Sequence, residues 1–416
     1  GVQTCALPIC CQFTGAGVFD NFTGTVSVEC PMPWTGSVRV SGGTLLFSLD
    51  QTFGEFVQGQ ENGASTVGGT AALTVTNRFT WNGGTLRGAG RVDVTASATA
   101  TLGGGNKVLA AGMTLVNRTV MTLSGGNLFL SGTANEVSRF ENRGTFVLAG
   151  NVGVANTEWD GVRPIVFANL GTLRKTGAGT TSLMDVPLEN SGVLELNSGT
   201  LRWNRNSVQS GTLLVLEGAT LAITAGRHEI RDGFQVAGSG AVSITAGELA
   251  LAAPLPLETL QVTLSGSAAV SGAFPVSNRP GGVLVVDRTL TFPGDLFIGG
   301  ILRVASASRT VTVTGTLTLA STGTLENPGT VRVGAFDNQG GTVTGNAPVV
   351  IGPGPGSVVE IRQIRIVQPA GDLQRASLNE ELLLIWSAPQ IDGHVVETSV
   401  DLVHWQPVSE IGRAHV

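Results

Sequence analysis

The chain has no tyrosine, only four histidines and four methionines, and only 13% charged residues. Lys107 and Lys175 are its only lysines, so nearly every positive charge is an arginine, a bias that GC-rich coding accounts for. The formal net charge is -6 and no basic cluster appears. A nucleic-acid groove needs concentrated Lys and Arg, so that class is excluded. No apolar run is long enough to span a membrane. No stretch carries the i, i+3, i+4, i+7 apolar spacing with caps that marks a helix of ordinary length. The histidines, at 228, 394, 404 and 415, are scattered, which argues against a metal centre or a histidine base, and His228 in Gly226-Arg-His-Glu229 reads as a loop residue. No Cys/His spacing fits zinc, and there is no nucleophile elbow, phosphate-binding loop or dinucleotide fingerprint. No cofactor is expected.

What is present is glycine, 59 residues of it, and short alternating runs of Val, Leu and Thr within a 42% hydrophobic chain. Such runs fit a pleated sheet rather than a disordered chain. Examples are Thr25-Val-Ser-Val28, Gly211-Thr-Leu-Leu-Val-Leu216 and Arg309-Thr-Val-Thr-Val313. A phrase recurs among them: Asn142-Arg-Gly-Thr-Phe146, Asn169-Leu-Gly-Thr-Leu173, Asn190-Ser-Gly-Val-Leu194 and Asn327-Pro-Gly-Thr-Val331. Asn and Gly tolerate a left-handed turn, so Gly144, Gly171, Gly192 and Gly329 are expected at positive φ, with a strand following each. A turn-plus-strand unit returning about every 20 to 30 residues marks a stacked solenoid. Asn142, Asn169, Asn190 and Asn327 are the candidates for a ladder in which each amide bonds the next. The dipeptide Asn-Arg, at Asn77, Asn117, Asn142 and Asn278, reads as a turn amide beside a solvated arginine rather than a ligand-binding row.

Asn169-Leu-Gly-Thr-Leu173 followed by Lys175-Thr-Gly-Ala-Gly-Thr180 resembles the passenger repeats of autotransporters and related haemagglutinin-like surface proteins. The resemblance covers roughly residues 65–350. It implies an all-β fold, a right-handed parallel β-helix over residues 10–351, and export to a bacterial cell surface. The autotransporter barrel itself is not visible. Gly352-Pro-Gly-Pro-Gly356 cannot continue a strand ladder, so residues 352–357 read as a linker. Beyond it, Leu382-Leu-Leu-Ile-Trp386 with Glu397-Thr-Ser399, Asp401-Leu402 and Trp405 resembles a small fibronectin-like or immunoglobulin-like sandwich module of exported proteins. That module would be truncated, over residues 358–410. Trp386 and Trp405 read as core between its two sheets rather than as glycan-stacking platforms.

Residues 1–9 and 411–416 resemble translated sequencing adapter and are set aside from the fold. The native termini, with any export signal or anchor, are then expected outside this sequence. Cys11 and Cys30 lie about one repeat apart; a disulfide would suit an extracellular setting, and two small buried hydrophobes are the stronger reading.

A catalytic solenoid would need convergent carboxylates on neighbouring turns. Glu158, Asp160 and Asp185, with Trp159, are the nearest approach, Asp160 and Asp185 standing about one turn apart. Their surroundings are ordinary turn residues. The leading expectation is therefore a non-enzymatic structural or adhesive surface protein, a monomeric rod whose partners are surface glycans or proteins of a host or neighbouring cell. The alternatives are a polysaccharide-degrading β-helix, lyase or hydrolase, and a carbohydrate-binding surface protein.

Overall fold

The computed structural model describes residues 15–59, 65–157 and 164–351, and the backbone of two short strands, Glu397–Thr398 and Gln406–Pro407. The chain divides into two units, Gly1–Val349 and Val350–Val416. In the second unit the two short strands pair antiparallel. The linker, the remainder of the sandwich-like segment and both adapter-like ends lie outside the described residues, as do Cys11, Glu158, Trp159 and Asp160.

The first unit is an all-β parallel solenoid of about 15 turns. One turn shows how the alternation produces it. Ile165–Asn169 forms the strand of face one, Thr172–Thr176 that of face two and Thr181–Asp185 that of face three. The next turn repeats them in register. Leu188–Asn190 lies parallel to the first, with Phe167 opposite Leu188 and Asn169 opposite Asn190. Val193–Leu196 and Gly199–Trp203 follow on faces two and three, pairing Leu173 with Leu194 and Met184 with Trp203. Face three is a continuous sheet of 16 strands, from Thr25–Val28 to Thr342–Gly345. Among the described residues there is no helix, and hence none long and apolar enough to cross a membrane.

The strands are short because each covers one side of a narrow interior. Every second residue points inward and is buried, as in the Thr172–Thr176 strand, where Leu173 and Lys175 are buried between half-buried neighbours. A single turn cannot satisfy its own backbone, so each depends on the turns above and below. Aromatic rings fill two parts of the interior. Phe47, Phe53, Phe56, Phe79 and Trp81 follow one another with centroids 5.6, 6.4, 5.8 and 6.4 Å apart. Phe140 stacks on Phe167 and tilts against Phe146, each at 4.8 Å. Such ring pairs add roughly 0.5–1.5 kcal/mol each beyond the area they bury.

The recurring phrase forms a corner. Asn142, Asn169 and Asn190 end face-one strands, each two residues after a core side chain (Phe140, Phe167, Leu188), so strand parity turns their amides inward. Successive corners nest tightly. The amides of Leu170 and Gly171 both donate to Asn142 O, at 2.8 and 2.9 Å, and those of Ser191 and Gly192 to Asn169 O, both at 3.0 Å.

The expected positive φ at the phrase glycines is not what the structure has: Gly144, Gly171, Gly192 and Gly329 all lie outside that region. Glycine is required there by proximity. A Cβ on Gly171 would stand 2.1 Å from Gly144 O, one on Gly192 2.1 Å from Gly171 O, and one on Gly144 2.2 Å from Thr119 O. Positive φ occurs instead at other corners, for example at Gly126, Gly150 and Gly177 between faces two and three. Asn327 also departs from the expected row. It ends a face-three strand, Thr324–Asn327, and so stands at a different corner from Asn142, Asn169 and Asn190. The same device, an inward amide beside a close-packed glycine, serves whichever corner needs it: a Cβ on Gly329 would meet Arg309 O at 2.5 Å.

Candidate functional site

The most developed polar arrangement in the solenoid is the amide row at the corner of faces one and two. Asn117 Nδ2 donates to Asn142 Oδ1 at 2.8 Å, Asn142 Nδ2 to Asn169 Oδ1 at 2.7 Å, and Asn169 Nδ2 to Asn190 Oδ1 at 2.7 Å. Asn190 Nδ2 then donates to Gln209 Oε1 at 3.0 Å. The second amide hydrogens of Asn117, Asn142 and Asn169 reach the carbonyls of Thr145, Thr172 and Val193 on the following turn, at 3.1, 2.8 and 2.9 Å. All five side chains are buried. The row is bounded by Val94 on the turn before Asn117 and by Ile230 on the turn after Gln209, the apolar residues in register with its two ends. Asn327 stands apart from it, donating from Nδ2 to Asn346 O at 2.8 Å. Asn278 likewise serves another corner, bonding Ile301 O at 2.8 Å. Asn77 is exposed.

The arginines beside these amides are tied to acids. On face one Asp93, Glu141, Glu189 and Glu229 occupy one outward column, separated turn by turn by Val116, Ala168 and Val208. Acids therefore recur on alternate turns, roughly 10 Å apart, and like charges never stack directly. Arg118 reaches Asp93 at 2.8 Å, Arg139 reaches Glu189 at 3.3 Å and Arg231 reaches Glu229 at 2.6 Å; Arg143 pairs with Glu141. Burial alone would raise the Asp93 carboxyl, but hydrogen bonds from Arg118 and Arg91 outweigh it and hold the group below its ordinary value. Arg231 has the same lowering effect on Glu229. These pairs are exposed and screened by solvent, so the column organises the face more than it stabilises it.

Of the acids singled out in the sequence, Asp185 is described. It ends a face-three strand, lies in register with Ala155 and takes a hydrogen bond from Arg205 Nε at 2.7 Å. Asp160 and Glu158 lie outside the described residues. Cys30 is half-buried, and its carbonyl accepts from Gln51 Nε2 at 3.1 Å. No group of three or more His, Cys, Asp or Glu suited to a metal ion occurs among the described residues.

Three titratable residues to which the sequence reading gives no inward role lie inside the solenoid. Both lysines are fully buried. Lys175 occupies the inward row between Leu148 and Leu196, and its ammonium donates to Gly150 O at 3.1 Å, Thr176 O at 2.5 Å and Thr180 Oγ1 at 2.7 Å. Lys107 donates to Gly125 O at the same kind of corner. Burial pushes the Lys107 ammonium down to about 8 and lowers Lys175 as well. His228 is no loop residue: it is buried in the strand Arg227–Ile230, edge-on to Trp203 at 5.0 Å. Its Nε2 lies 2.9 Å from Ala225 O and its Nδ1 3.0 Å from Ser207 Oγ, and burial lowers its pKa. Strand parity was the available signal. Lys107 precedes core Leu109 by two residues, Lys175 follows Leu173 by two, and His228 precedes Ile230 by two.

No protein-family model, curated protein or solved structure matches this chain.

Proposed function

We propose that this chain is part of an exported bacterial surface protein in which the solenoid has a structural or adhesive role rather than a catalytic one. The observation that carries this reading is where the polar side chains are spent. The amide row, Arg118, Arg174, Arg205 and Arg303 all bond a neighbouring turn, and Arg139 reaches across to the second turn along. Even the buried ammonium of Lys175 reaches back to Gly150 O on the previous turn. Side chains committed to stacking build a long uniform element, on the order of 70 Å along a stack of 16 strands at the usual strand spacing. Such an element suits presenting a partner-binding surface at a distance, and the partners proposed are surface glycans or proteins of a neighbouring or host cell.

Beads coated with the full chain, offered to glycan- and protein-coated surfaces and to soluble pectin, alginate and glucans, test the reading. Adhesion without release of reducing ends or unsaturated sugars is the expected result. Sugar release that disappears in Asp185→Asn or Asp160→Asn would replace it with a polysaccharide-degrading role.

A further inference from the structure

The amide row ends at Gln209, and its ending has a chemical consequence. Gln209 Oε1 accepts from Asn190, but the residue in register on the next turn is Ile230, which offers no acceptor. Gln209 Nε2 is thus buried with no hydrogen-bond partner. The indole Nε1 of Trp203, whose side chain is also buried, has none either. A buried donor left unmade costs about 1–3 kcal/mol, so two in one place call for an explanation.

Both residues line an interior cavity of about 60 Å³, whose wall is otherwise mainly Leu, Ile and Val, from Leu213 and Leu221 to Val262. A smaller void of about 20 Å³ adjoins it, sharing Leu249, Leu255, Leu257 and Val262. Inward-facing residues here keep accessible surface that their counterparts elsewhere lack: Leu213 is 7% exposed, Val242 6% and Leu249 9%, against 0% for Leu173, Leu194 and Leu196. His228 also lines the cavity, but its two ring nitrogens already have Ser207 and Ala225 as partners. An apolar cavity of roughly 150 Å³ engineered into another protein stays dry and binds benzene or xenon. This one is smaller, and its polar members with unmet hydrogen bonds are both donors.

We propose that this cavity is a binding site for a small neutral molecule of a few heavy atoms, with an apolar body and one hydrogen-bond acceptor. The apolar body fills the aliphatic part, and the acceptor takes the Trp203 and Gln209 N–H groups. Such a ligand satisfies both donors and fills the void, whereas a water accepting from both donors would turn its own hydrogens to an apolar wall and leave most of the space empty. The site does not depend on what the outer surface binds.

Xenon and acetone are suitable probes, acetone having one acceptor and no donor. NMR on the full chain should show saturable xenon-induced shifts at the methyls of Leu221, Val242 and Val262. Acetone should displace xenon and move the Trp203 indole N–H resonance, assigned through Trp203→Phe. Gln209→Leu should leave xenon binding intact and weaken acetone by about two- to tenfold, the worth of one hydrogen bond. Val262→Phe, which fills the junction of the two voids, should abolish both signals; should that variant fail to fold, the xenon–acetone competition in the unaltered chain reads the same site. Absence of saturable shifts, failure of acetone to displace xenon, or a water cross-peak at the Trp203 N–H that acetone leaves unchanged would each overturn the proposal.

Discussion

The turns built on Asn142, Asn169 and Asn190 and those that follow Gln209 share strand lengths and parallel pairing, yet their interiors differ. In the first group Phe140, Phe146 and Phe167 fill the space to 0% exposure and amides bond one another along the axis. In the second, aliphatic side chains enclose a cavity and two donors are left over. Backbone pairing alone does not set how well a solenoid segment is made. The side chains that span from turn to turn do so, and each turn inherits the quality of its neighbours.

The sharpest way to break the first segment is at its amides. Asn169→Leu strands Asn142 Nδ2, Asn190 Oδ1 and Val193 O of their bonds to it, and should cost about 2–5 kcal/mol in denaturant unfolding. Gln209→Leu, at the end of the row, strands only Asn190 Nδ2 and removes an orphaned donor, so it should cost clearly less. Equal losses at the two sites would mean that the row is not acting as a unit.

Next come the corner glycines. Gly192→Ala places a methyl against Gly171 O and should cost about 1–3 kcal/mol by overpacking. Gly218 has φ +76° and open space where a Cβ would go, so Gly218→Ala should cost about 1 kcal/mol through backbone strain alone. Asparagine separates the two causes. Gly218→Asn should recover part of the loss because Asn tolerates that conformation, whereas Gly192→Asn should be at least as damaging as alanine.

The buried lysines give a pH signature. Lys107 binds its proton less tightly folded, at about 8, than unfolded, at its ordinary 10.5. Between those values the unfolded chain holds more protons, so this group makes stability rise with pH; below about 8 its charging penalty is present in full. Lys107→Met should therefore flatten the stability-versus-pH curve between about 8 and 10.5. An unchanged slope would show that the ammonium is not paying for its burial.

The smallest expected effect is a difference of sign. Val242→Ile adds a methyl beside the cavity and should stabilise by about 0.5–1 kcal/mol, while Val154→Ile, in the filled interior, should destabilise by about 1 kcal/mol. Thermal unfolding of the two variants checks both.

Much of this fold was legible in the sequence. Alternation in runs such as Thr172–Thr176, broken by Asn-x-Gly, announces strands and corners directly. Which corner a phrase serves was not legible, because turn length varies: successive members of the amide row are 25, 27, 21 and 19 residues apart. The role of the glycines was misread for a related reason. A positive φ is a local property that composition suggests, whereas the approach of Gly171 O to Gly192 exists only once two turns are stacked. Asn117 carries the Asn-Arg signal without the full phrase, and Gln209 carries neither, although both fall on inward parity at strand ends. Asp185 takes a hydrogen bond from Arg205, while Asp160, the acid about one turn before it in sequence, lies outside the described residues.

Hydrogen exchange on the unaltered chain tests the central claim most directly, that side chains spanning the turns decide the local quality of the solenoid. A cavity of about 60 Å³ corresponds to about 1.4 kcal/mol, a factor of about ten in opening. Amides in residues 230–264 should therefore exchange about tenfold faster than those in residues 139–196, with a boundary near Gln209. Equal protection across the two segments, or faster exchange in the amide-row turns, would contradict the account.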